Sequence, residues 1–441
     1  MAEKEKVSRR KFLVRAGLGT IGVLAVGTYV FRNPLRRMTL EMAESMVPPY
    51  SGTGTEVNLW FEITQENKVI LHSPKVEMGQ GTFTSLAQIV ADELDVTMDQ
   101  VEVVGAATGT GIVDGMSTGG SLSVASLWMP LREMAATMRE MLKSEAAKKM
   151  GIASTDITTK EGVLSSGGNT LTNAEVAADV TEWEVPDTPP LRPVSEYKFI
   201  GKPISRIDLA AKVFGDPIFG MDAEMPDMLH ACVIRPEHIG ATLLRADTQK
   251  AEGMPGVVAI VRLDGSVGIV AESYPQALAA KRTVSVEWDI PKKWTEEEIR
   301  SMLVVGQGDE MVTQKVGSAL DPDAEGVDSM EFKSPIGAHA QIEPNGAVAQ
   351  VEGDQVTVML STQVPGVTQR QVAEALAVPV ENVNIIPTYL GGGFGRRLNT
   401  SHAVIAAQMA DIVGRPVKYF FTRKEEFQNA TFRHPHHHIM R

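Results

Sequence analysis

The chain has 441 residues, of which 22% are charged and 43% hydrophobic, and this composition excludes an intrinsically disordered protein. Its length leaves room for roughly two to four domains. The single cysteine, Cys232, excludes an internal disulfide framework and any all-cysteine zinc or iron–sulfur site formed by these residues alone. Redox chemistry in this protein therefore requires a bound cofactor.

The net charge of −13 is distributed unevenly along the chain. Residues 1–40 contain nine Lys and Arg against two Glu, and residues 396–441 contain eight against three acidic residues. The part between these two basic ends is strongly acidic. We expect no nucleic-acid partner, because general nucleic-acid binding requires a basic face.

The basic N-terminus resembles an export signal. Residues 8–13 read Ser-Arg-Arg-Lys-Phe-Leu and precede an apolar stretch over residues 16–31, which resembles a twin-arginine signal. The stretch is shorter than the ~20 residues that a membrane span needs. We expect residues 1–50 to be a signal and a linker, and the chain to be exported to the periplasm or the outer face of the cytoplasmic membrane. The alternative is that this segment stays uncleaved as an anchor.

The body of the chain predicts a mixed α/β fold. The predicted strands lie over residues 57–63, 68–71, 101–104 and 356–360. The predicted helices lie over residues 83–94, 121–150, 367–376 and 400–413. A proline-rich break over residues 185–193 predicts a linker and domain boundary, and an acidic stretch over residues 292–328 predicts a second connection.

One pattern occurs twice in the sequence. Residues 94–104 and residues 376–386 each indicate the end of a helix, a turn and a strand, and each lies near a glycine-rich loop. A duplicated unit and two generic αβ units are both compatible with this pattern.

Three glycine-rich loops, each leading into or lying close to a predicted helix, carry the chemical signal. They cover residues 77–81, 117–121 and 391–397. Glycine lets the backbone approach a ligand closely, and free N–H groups at a helix start attract anions. No Gly-Lys-Ser/Thr follows any of these loops, which excludes a Walker A site. Arg396 stands where a dinucleotide fingerprint needs its third glycine, so a nucleotide-binding protein is disfavoured.

The loops belong to a set of motifs that resembles a known family. Residues 77–81 read Glu-Met-Gly-Gln-Gly, residues 118–121 read Thr-Gly-Gly-Ser, and residues 391–397 read Gly-Gly-Gly-Phe-Gly-Arg-Arg. With residues 200–208 and 361–363, they resemble the molybdopterin-binding large subunits of the xanthine dehydrogenase/aldehyde oxidase family. Within it, the isoquinoline 1-oxidoreductase beta and membrane-associated aldehyde dehydrogenase type is the most similar. The resemblance covers nearly all of residues 55–441.

The resemblance implies an α/β (α+β) fold with an α/β hammerhead domain over residues 196–290. Segments of a molybdopterin-binding domain would flank it over residues 55–185 and 330–441. The implied cofactor is molybdopterin with molybdenum, its cytosine dinucleotide form being an alternative, and no protein side chain would ligate the metal directly. The resemblance places it beside Gly79, Gln80, Gly81, Gly119, Gly120, Ser121, Gly393, Phe394, Gly395 and Arg396. Arg433 is expected to help orient the substrate.

The implied reaction is oxidation of an aldehyde or N-heterocycle with water as the oxygen source. Electrons would leave through 2Fe–2S clusters in an iron–sulfur small subunit, because one cysteine cannot ligate a cluster. A cytochrome or another membrane acceptor could then receive them.

In the family the general base is a glutamate in a Gly-x-Gly-Glu loop, which these residues do not contain. Glu77 and Glu343 are expected to have structural roles instead. We therefore expect a second chain to complete the molybdopterin-binding domain, the alternative being a truncated, non-catalytic cofactor-binding or scaffold subunit.

Two further features are expected to be structural. His434 and the three histidines at 436–438 are too crowded for ligands spaced one helical turn apart, and the family continues here into a strand. Cys232 lies in an apolar run and is expected to be a buried strand residue without a redox role.

Overall fold

A computed structural model of the chain describes residues 20–25, 59–110, 116–180, 183–186, 188–309, 311–312, 316–317, 321 and 324–441. The predicted twin-arginine pair, Arg9 and Arg10, lies outside these residues. Part of the apolar stretch that follows the pair forms a strand, Thr20–Ala25. Within the described residues, no helix has both the length and the apolar character needed to cross a membrane.

The described residues form a mixed α/β fold, which confirms the predicted fold class. The strands are β1 (Thr20–Ala25), β2 (Leu59–Thr64), β3 (Val69–Ser73), β4 (Val101–Gly105), β5 (Thr158–Lys160), β6 (Val163–Ser166), β7 (Asn169–Thr172), β8 (Leu229–Ile234), β9 (Thr242–Asp247), β10 (Val257–Leu263), β11 (Ser266–Ala271), β12 (Ser285–Asp289), β13 (Met330–Ser334), β14 (Gly346–Glu352), β15 (Gln355–Leu360), β16 (Val383–Pro387), β17 (Val417–Phe420) and β18 (His436–Met440). The helices are α1 (Thr82–Leu94), α2 (Ser123–Met150), α3 (Asn173–Ala177), α4 (Leu209–Phe214), α5 (Gln249–Glu252), α6 (Tyr274–Lys281), α7 (Glu296–Ser301), α8 (Pro365–Leu376), α9 (Ser401–Val413) and α10 (Arg423–Gln428).

Two sheets organise the molecule. The first has the strand order β1-β2-β3-β4, and α1 packs against both β4 and the long helix α2. The second has the order β10-β11-β8-β17-β14-β15-β16, and α9 packs on its interior strand β14. Each sheet has its own apolar core, with Phe61, Leu86 and Met134 in the first and Val348, Val358 and Met409 buried at the second.

The second sheet crosses the predicted boundary between the hammerhead segment and the last segment. Strands β8, β10 and β11 come from residues 229–271, whereas β14 to β17 come from residues 346–420. The two groups join where β17 pairs in parallel with β8, with Val417 opposite Leu229. The acidic stretch after residue 290 therefore separates two segments of the chain whose strands belong to the same sheet.

The repeated sequence pattern corresponds to a repeated topology. In the first unit β2 and β3 are antiparallel, α1 follows, and β4 returns parallel to β3. In the second unit β14 and β15 are antiparallel, α8 follows, and β16 returns parallel to β15. A short 3-10 turn precedes the last strand in both units, at Met98–Gln100 and Val380–Asn382. This shared order favours a duplicated unit over two generic αβ units.

The proline-rich segment predicted as a linker is fixed to the C-terminal end of α1. The Arg192 N–H donates to the Glu93 carboxylate at 3.0 Å, and the Arg192 guanidinium lies 2.8 Å from Asp95. Arg139 of α2 donates to the carbonyl of Pro190 and contacts Glu93 as well. Because Glu93 is buried and doubly paired, this segment is part of the core packing and not a free connection.

Candidate functional site

The first glycine loop is folded around the carboxylate of Glu77. One oxygen of this buried side chain accepts the N–H groups of Gly79 at 2.9 Å and Gly81 at 3.1 Å. The other accepts the N–H of Phe83, in the first turn of α1, at 3.2 Å. Arg206 donates to the same carboxylate at 3.0 Å. The start of α1 is therefore occupied by an internal anion, and these contacts are compatible with the structural role predicted for Glu77.

Gln80 closes this loop with its side chain. Its amide nitrogen donates to the carbonyl of Val76 at 3.0 Å, and its amide oxygen accepts the N–H of Met78 at 2.7 Å. Gly79 and Gln80 are exposed despite these bonds. The loop is thus a rigid, solvent-facing surface.

The second loop packs directly against the first. The Thr118 hydroxyl accepts the N–H of Val76 at 3.0 Å, and Lys75 donates to the carbonyl of Ser117 at 3.0 Å. Gly120 and Ser121 have positive φ angles of 59° and 60°, and both are exposed. The N-cap residue of helix α2, Leu122, provides no side-chain hydrogen bond, and α2 has no side-chain cap among the described residues. The N–H groups at the start of α2 are therefore candidates for binding an anionic ligand.

Gln363 joins the second and third loops. Its backbone accepts the N–H of Thr118 at 2.8 Å, and its side-chain amide donates to the Thr118 carbonyl at 2.7 Å. Its side-chain oxygen accepts the N–H of Gly395 at 3.1 Å, and its own N–H donates to the Arg397 carbonyl at 3.1 Å. The Leu390 N–H donates to the carbonyl of Glu77 at 3.1 Å and links the third loop to the first. The three loops, which lie far apart in sequence, therefore form one surface.

The third loop requires glycine at its point of closest approach to the first. A methyl group placed on Gly393 would overlap the sulfur of Met78 and stand 3.0 Å from the side-chain oxygen of Gln363. The next residue, Phe394, is 58% exposed and has a φ of 55°. An exposed aromatic side chain on a strained backbone is a common feature of ligand-contacting loops.

Arg397 holds the third loop from the inside, and sequence reasoning did not select it. Its buried guanidinium donates to the carbonyl of Gly392 at 2.7 Å, to Asn345 at 2.9 Å and to the carboxylate of Glu343 at 2.8 Å. Burial lowers the pKa of Arg397, and the nearby Glu343 and Glu426 carboxylates oppose this shift.

Glu343 is saturated by this arrangement, which agrees with the structural role predicted for it. Its carboxylate also accepts the N–H groups of Gly391 at 2.8 Å and Met221 at 2.9 Å. Like the carboxylate of Glu77, it faces N–H donors and an arginine, not an open surface.

Arg396, predicted to lie beside the cofactor, points into the protein. Its Nε donates to Glu426 at 2.5 Å, and only 2% of the residue is exposed. Its Nη1 is buried and has no hydrogen-bond partner among the described residues. The backbone of Arg396 thus belongs to the third loop, whereas its side chain is buried and paired with Glu426.

Arg433 lies at the rim of the third loop. It is exposed and donates to the carbonyl of Phe394 at 3.0 Å. His339 is close to both Arg433 and Gly395, and its pKa is lowered by burial and by the charges of Arg433 and Arg396. Arg433 therefore places a cationic group beside Phe394 on this side.

The remaining predicted features occupy structural positions. Strand β18 pairs with β13, and His437 lies between the carbonyl of Leu303 and the carboxylate of Glu331. Within the part of the chain that the structure describes, no group of three or more His, Cys, Asp or Glu could hold a metal ion. Cys232 is buried in β8, as predicted, and burial raises the pKa of its thiol to about 11.

Sequence reasoning missed Gln363, Arg397 and Arg206 as residues that position the loops. Gln363 lies in the quoted motif over residues 361–363, and Arg397 is the last residue of the third loop. The sequence thus showed that both residues belong to motifs, but it did not show what they contact. The hydrogen-bond partners of the Gln363 side chain, for example, are 32 and 245 residues away in the sequence.

Comparison with known proteins identifies the domain that these loops belong to. Two models of the molybdopterin cofactor-binding domain match this chain, one over residues 26–215 and the other over residues 291–441. The first range contains the loops at 77–81 and 117–121, and the second contains the loop at 391–397.

Curated relatives agree with these matches. A nicotinate dehydrogenase chain of Pseudomonas putida is 30% identical over 84% of this chain and 32% of its own length. The membrane-bound aldehyde dehydrogenase (pyrroloquinoline-quinone) of Gluconacetobacter polyoxogenes is 29% identical over 98% of this chain and 58% of its own length. The beta chain of isoquinoline 1-oxidoreductase from Brevundimonas diminuta is 28% identical over 98% of this chain and 61% of its own length. The chain thus spans between a third and three fifths of the length of these relatives.

Proposed function

Since the chain belongs to the xanthine dehydrogenase/aldehyde oxidase family of molybdopterin-binding large subunits, we propose that it is part of a molybdenum hydroxylase. Its substrate class is an aldehyde or an N-heterocycle, oxidised with water as the oxygen source. The observation that carries this proposal is the surface formed by three glycine loops, held together through Gln363.

The residues on this surface fit an anionic, planar cofactor. When bound, molybdopterin with its molybdenum supplies the redox centre for oxidation of the substrate. The uncapped start of α2, with Gly119, Gly120 and Ser121, offers N–H donors to an anionic group of the cofactor. The exposed side chain of Phe394 offers an apolar face. Gly79, Gln80 and Gly81 complete the binding surface, and their loop is preorganised by Glu77.

Arg433 is proposed to orient the substrate. Its guanidinium is exposed beside Phe394 and has N–H donors left after its bond to the Phe394 carbonyl. A fixed cation at this position would stabilise negative charge that develops on a carbonyl oxygen or a ring nitrogen.

The proton acceptor of the reaction is proposed to come from outside these 441 residues. Glu77 and Glu343 are the candidates near the loops, but both carboxylates already accept N–H bonds and pair with an arginine. Both side chains are buried, so these donors, and not a substrate at the surface, are the partners of their carboxylates. A second chain carrying a glutamate loop would meet this need.

The electron acceptor is proposed to be an iron–sulfur small subunit. One 2Fe–2S cluster needs four ligands of which most are cysteines, whereas Cys232 is single and buried in β8. Electrons from the cofactor would therefore leave this chain through a partner.

We also propose export by the twin-arginine route, on the strength of Arg9-Arg10 and the apolar stretch that follows them. Replacing both arginines by lysine should keep the protein in the cytoplasm, and fractionation of cells would measure this. Unchanged export of the double variant would contradict the proposal.

The central experiment measures bound molybdenum in the complex purified with its co-expressed subunits. Plasma mass spectrometry should find about one molybdenum per chain, and Gly393→Ala should lower that content several-fold because the methyl group displaces Met78 and Gln363. Gly253→Ala is the matched control, since its methyl group would meet only the Lys250 carbonyl at 3.9 Å. An active complex without molybdenum would overturn the proposal, and a stable, metal-free chain would favour a scaffold subunit.

A further inference from the structure

A cavity of about 690 Å³ runs along the edge of the first sheet and reaches the buried side of the first glycine loop at Glu77. All five residues of β4, 101 to 105, line it. Because successive side chains of a strand point to opposite faces, a cavity that touches all of them faces the edge of the strand and not one face. β4 is the terminal strand of its sheet, so this edge pairs with no other strand that the structure describes.

The edge of β4 is open, in contrast to the corresponding edge in the second unit. There the Thr108 hydroxyl donates to the carbonyl of Val383 at 3.3 Å and accepts the N–H of Ile385 at 2.8 Å. Pro387, at the end of β16, has no N–H to offer. Proteins usually protect edge strands in such ways. β4 contains no proline, and the ring of Pro387 approaches it at its last residue, Gly105.

The wall opposite β4 is apolar. It includes Ile218, Met359, Ile386 and Tyr389. In helix α4, which precedes Ile218 in the chain, the side chains of Val213 and Phe214 are 70% and 79% exposed. An extended segment beside β4 could therefore bury apolar side chains between this wall and the strand.

The mouth of the cavity is acidic. Asp99, Glu102 and Asp216 line it and are exposed, and they form no ion pair with other described residues. The two buried carboxylates of the cavity, Glu77 and Asp208, are instead paired with Arg206 and Lys212. Among the described residues that line the cavity, Lys68 is the one cation. A basic occupant is favoured by this excess of negative charge.

We propose that the open edge of β4 binds an extended segment of a partner polypeptide that alternates apolar and basic side chains. The segment adds to the sheet as a further strand, so its backbone pairs with residues 101–104, up to the point where Pro387 packs against Gly105. Its apolar side chains face Ile218 and Met359, and its lysine or arginine side chains reach Asp99, Glu102 and Asp216. The five residues of β4 span about 16 Å, which is the length of a typical short strand.

The proposal is tested on the full chain with a synthetic peptide of about ten residues that alternates valine and lysine. Fluorescence anisotropy should detect its binding, and hydrogen exchange of the β4 amides that do not bond to β3 should slow about tenfold or more on saturation. A peptide of alternating valine and glutamate is the charge-reversed probe and should not bind. Raising the salt concentration to about 0.5 M should weaken binding of the basic peptide, since exposed charges are screened.

Variants separate this site from non-specific attraction to an acidic protein. Asp99→Lys and Glu102→Lys should each weaken binding of the basic peptide about tenfold while the melting temperature stays unchanged, because both side chains are exposed. Glu381→Lys is the matched control, since Glu381 is the exposed acid in the 3-10 turn before β16, as Asp99 is before β4. It should leave binding unchanged.

Four outcomes would overturn the proposal. Equal binding of the two peptides would show that the acidic residues of the cavity do not select a basic occupant. Equal loss of binding with Glu381→Lys would show that the overall charge of the protein, and not the edge of β4, determines the interaction. Strong protection of the β4 amides that do not bond to β3, in the chain alone and with a single monomeric species in sedimentation, would show that the edge is already covered. The same protection accompanied by dimerisation would identify a second copy as the occupant.

Discussion

The side-chain oxygen of Gln363 accepts the N–H of Gly395 at 3.1 Å, so one glutamine fixes the third glycine loop to the strand end that also holds the second. Both ends of the amide are used, and the residue is buried. The binding surface therefore depends on the correct placement of one donor and one acceptor.

The substitution Gln363→Glu tests this dependence. The new carboxylate cannot donate to the Thr118 carbonyl, so an oxygen would face an oxygen in a buried position. We expect the free energy of unfolding to fall by about 1–3 kcal/mol and bound molybdenum to decrease. Urea unfolding and metal analysis provide the two measurements. Gln355→Glu, at an exposed position in β15, should change the unfolding free energy by less than about 0.5 kcal/mol. Equal behaviour of the two variants would refute the joining role of Gln363.

Glu77→Gln distinguishes a structural carboxylate from a catalytic base. The amide group of the variant would face the N–H groups of Gly79, Gly81 or Phe83 and could not accept from all of them. We expect a lower melting temperature and reduced molybdenum content, with Glu381→Gln as the exposed control. A variant that keeps its stability and its molybdenum but loses all turnover would instead identify Glu77 as the base.

Arg397→Lys tests how the third loop is held. Lysine has three donors on one atom and cannot reach Gly392, Asn345 and Glu343 together. We expect a loss of at least about 2 kcal/mol in the free energy of unfolding, measured in urea. Arg370→Lys, at an exposed position on α8, should have little effect. Similar decreases in the unfolding free energy of the two variants would mean that the planar guanidinium of Arg397 is not needed to hold the loop.

His402 should make the protein less stable in acid. The residue is buried in α9 with neither ring nitrogen bonded to any described residue, and burial, together with Arg396 and Arg397, lowers its pKa well below the ordinary value of 6.5. Below pH 6.5, His402 therefore binds a proton in the unfolded chain but stays neutral in the folded chain. The free energy of unfolding falls as the pH drops below 6.5.

His402→Leu should remove this contribution. The variant's free energy of unfolding should depend less steeply on pH between about pH 6.5 and pH 5, by at most about 1.4 kcal/mol per pH unit. Urea unfolding of both proteins at several pH values measures the two slopes. Parallel slopes would show that His402 does not titrate differently on unfolding.

The sequence by itself determined the α/β class and the main helices and strands around the loops. It also identified the three glycine loops as the candidate binding site. These features depend on local periodicity and on glycine positions, which act over a few residues. Helix α1 and helix α2, for example, begin within two residues of their predicted starts because glycine loops precede them and an apolar face follows.

Only the tertiary structure decided which groups around the loops are free. Glu77 and Arg396 both read as charged residues in candidate loops, but folding turns Glu77 onto the N–H groups of its own loop and Arg396 onto Glu426. Likewise, the joining role of Gln363 and the open edge of β4 arise from partners far away in the sequence. Hydrogen-bond saturation and strand pairing are properties of these long-range neighbours, and local spacing does not encode them.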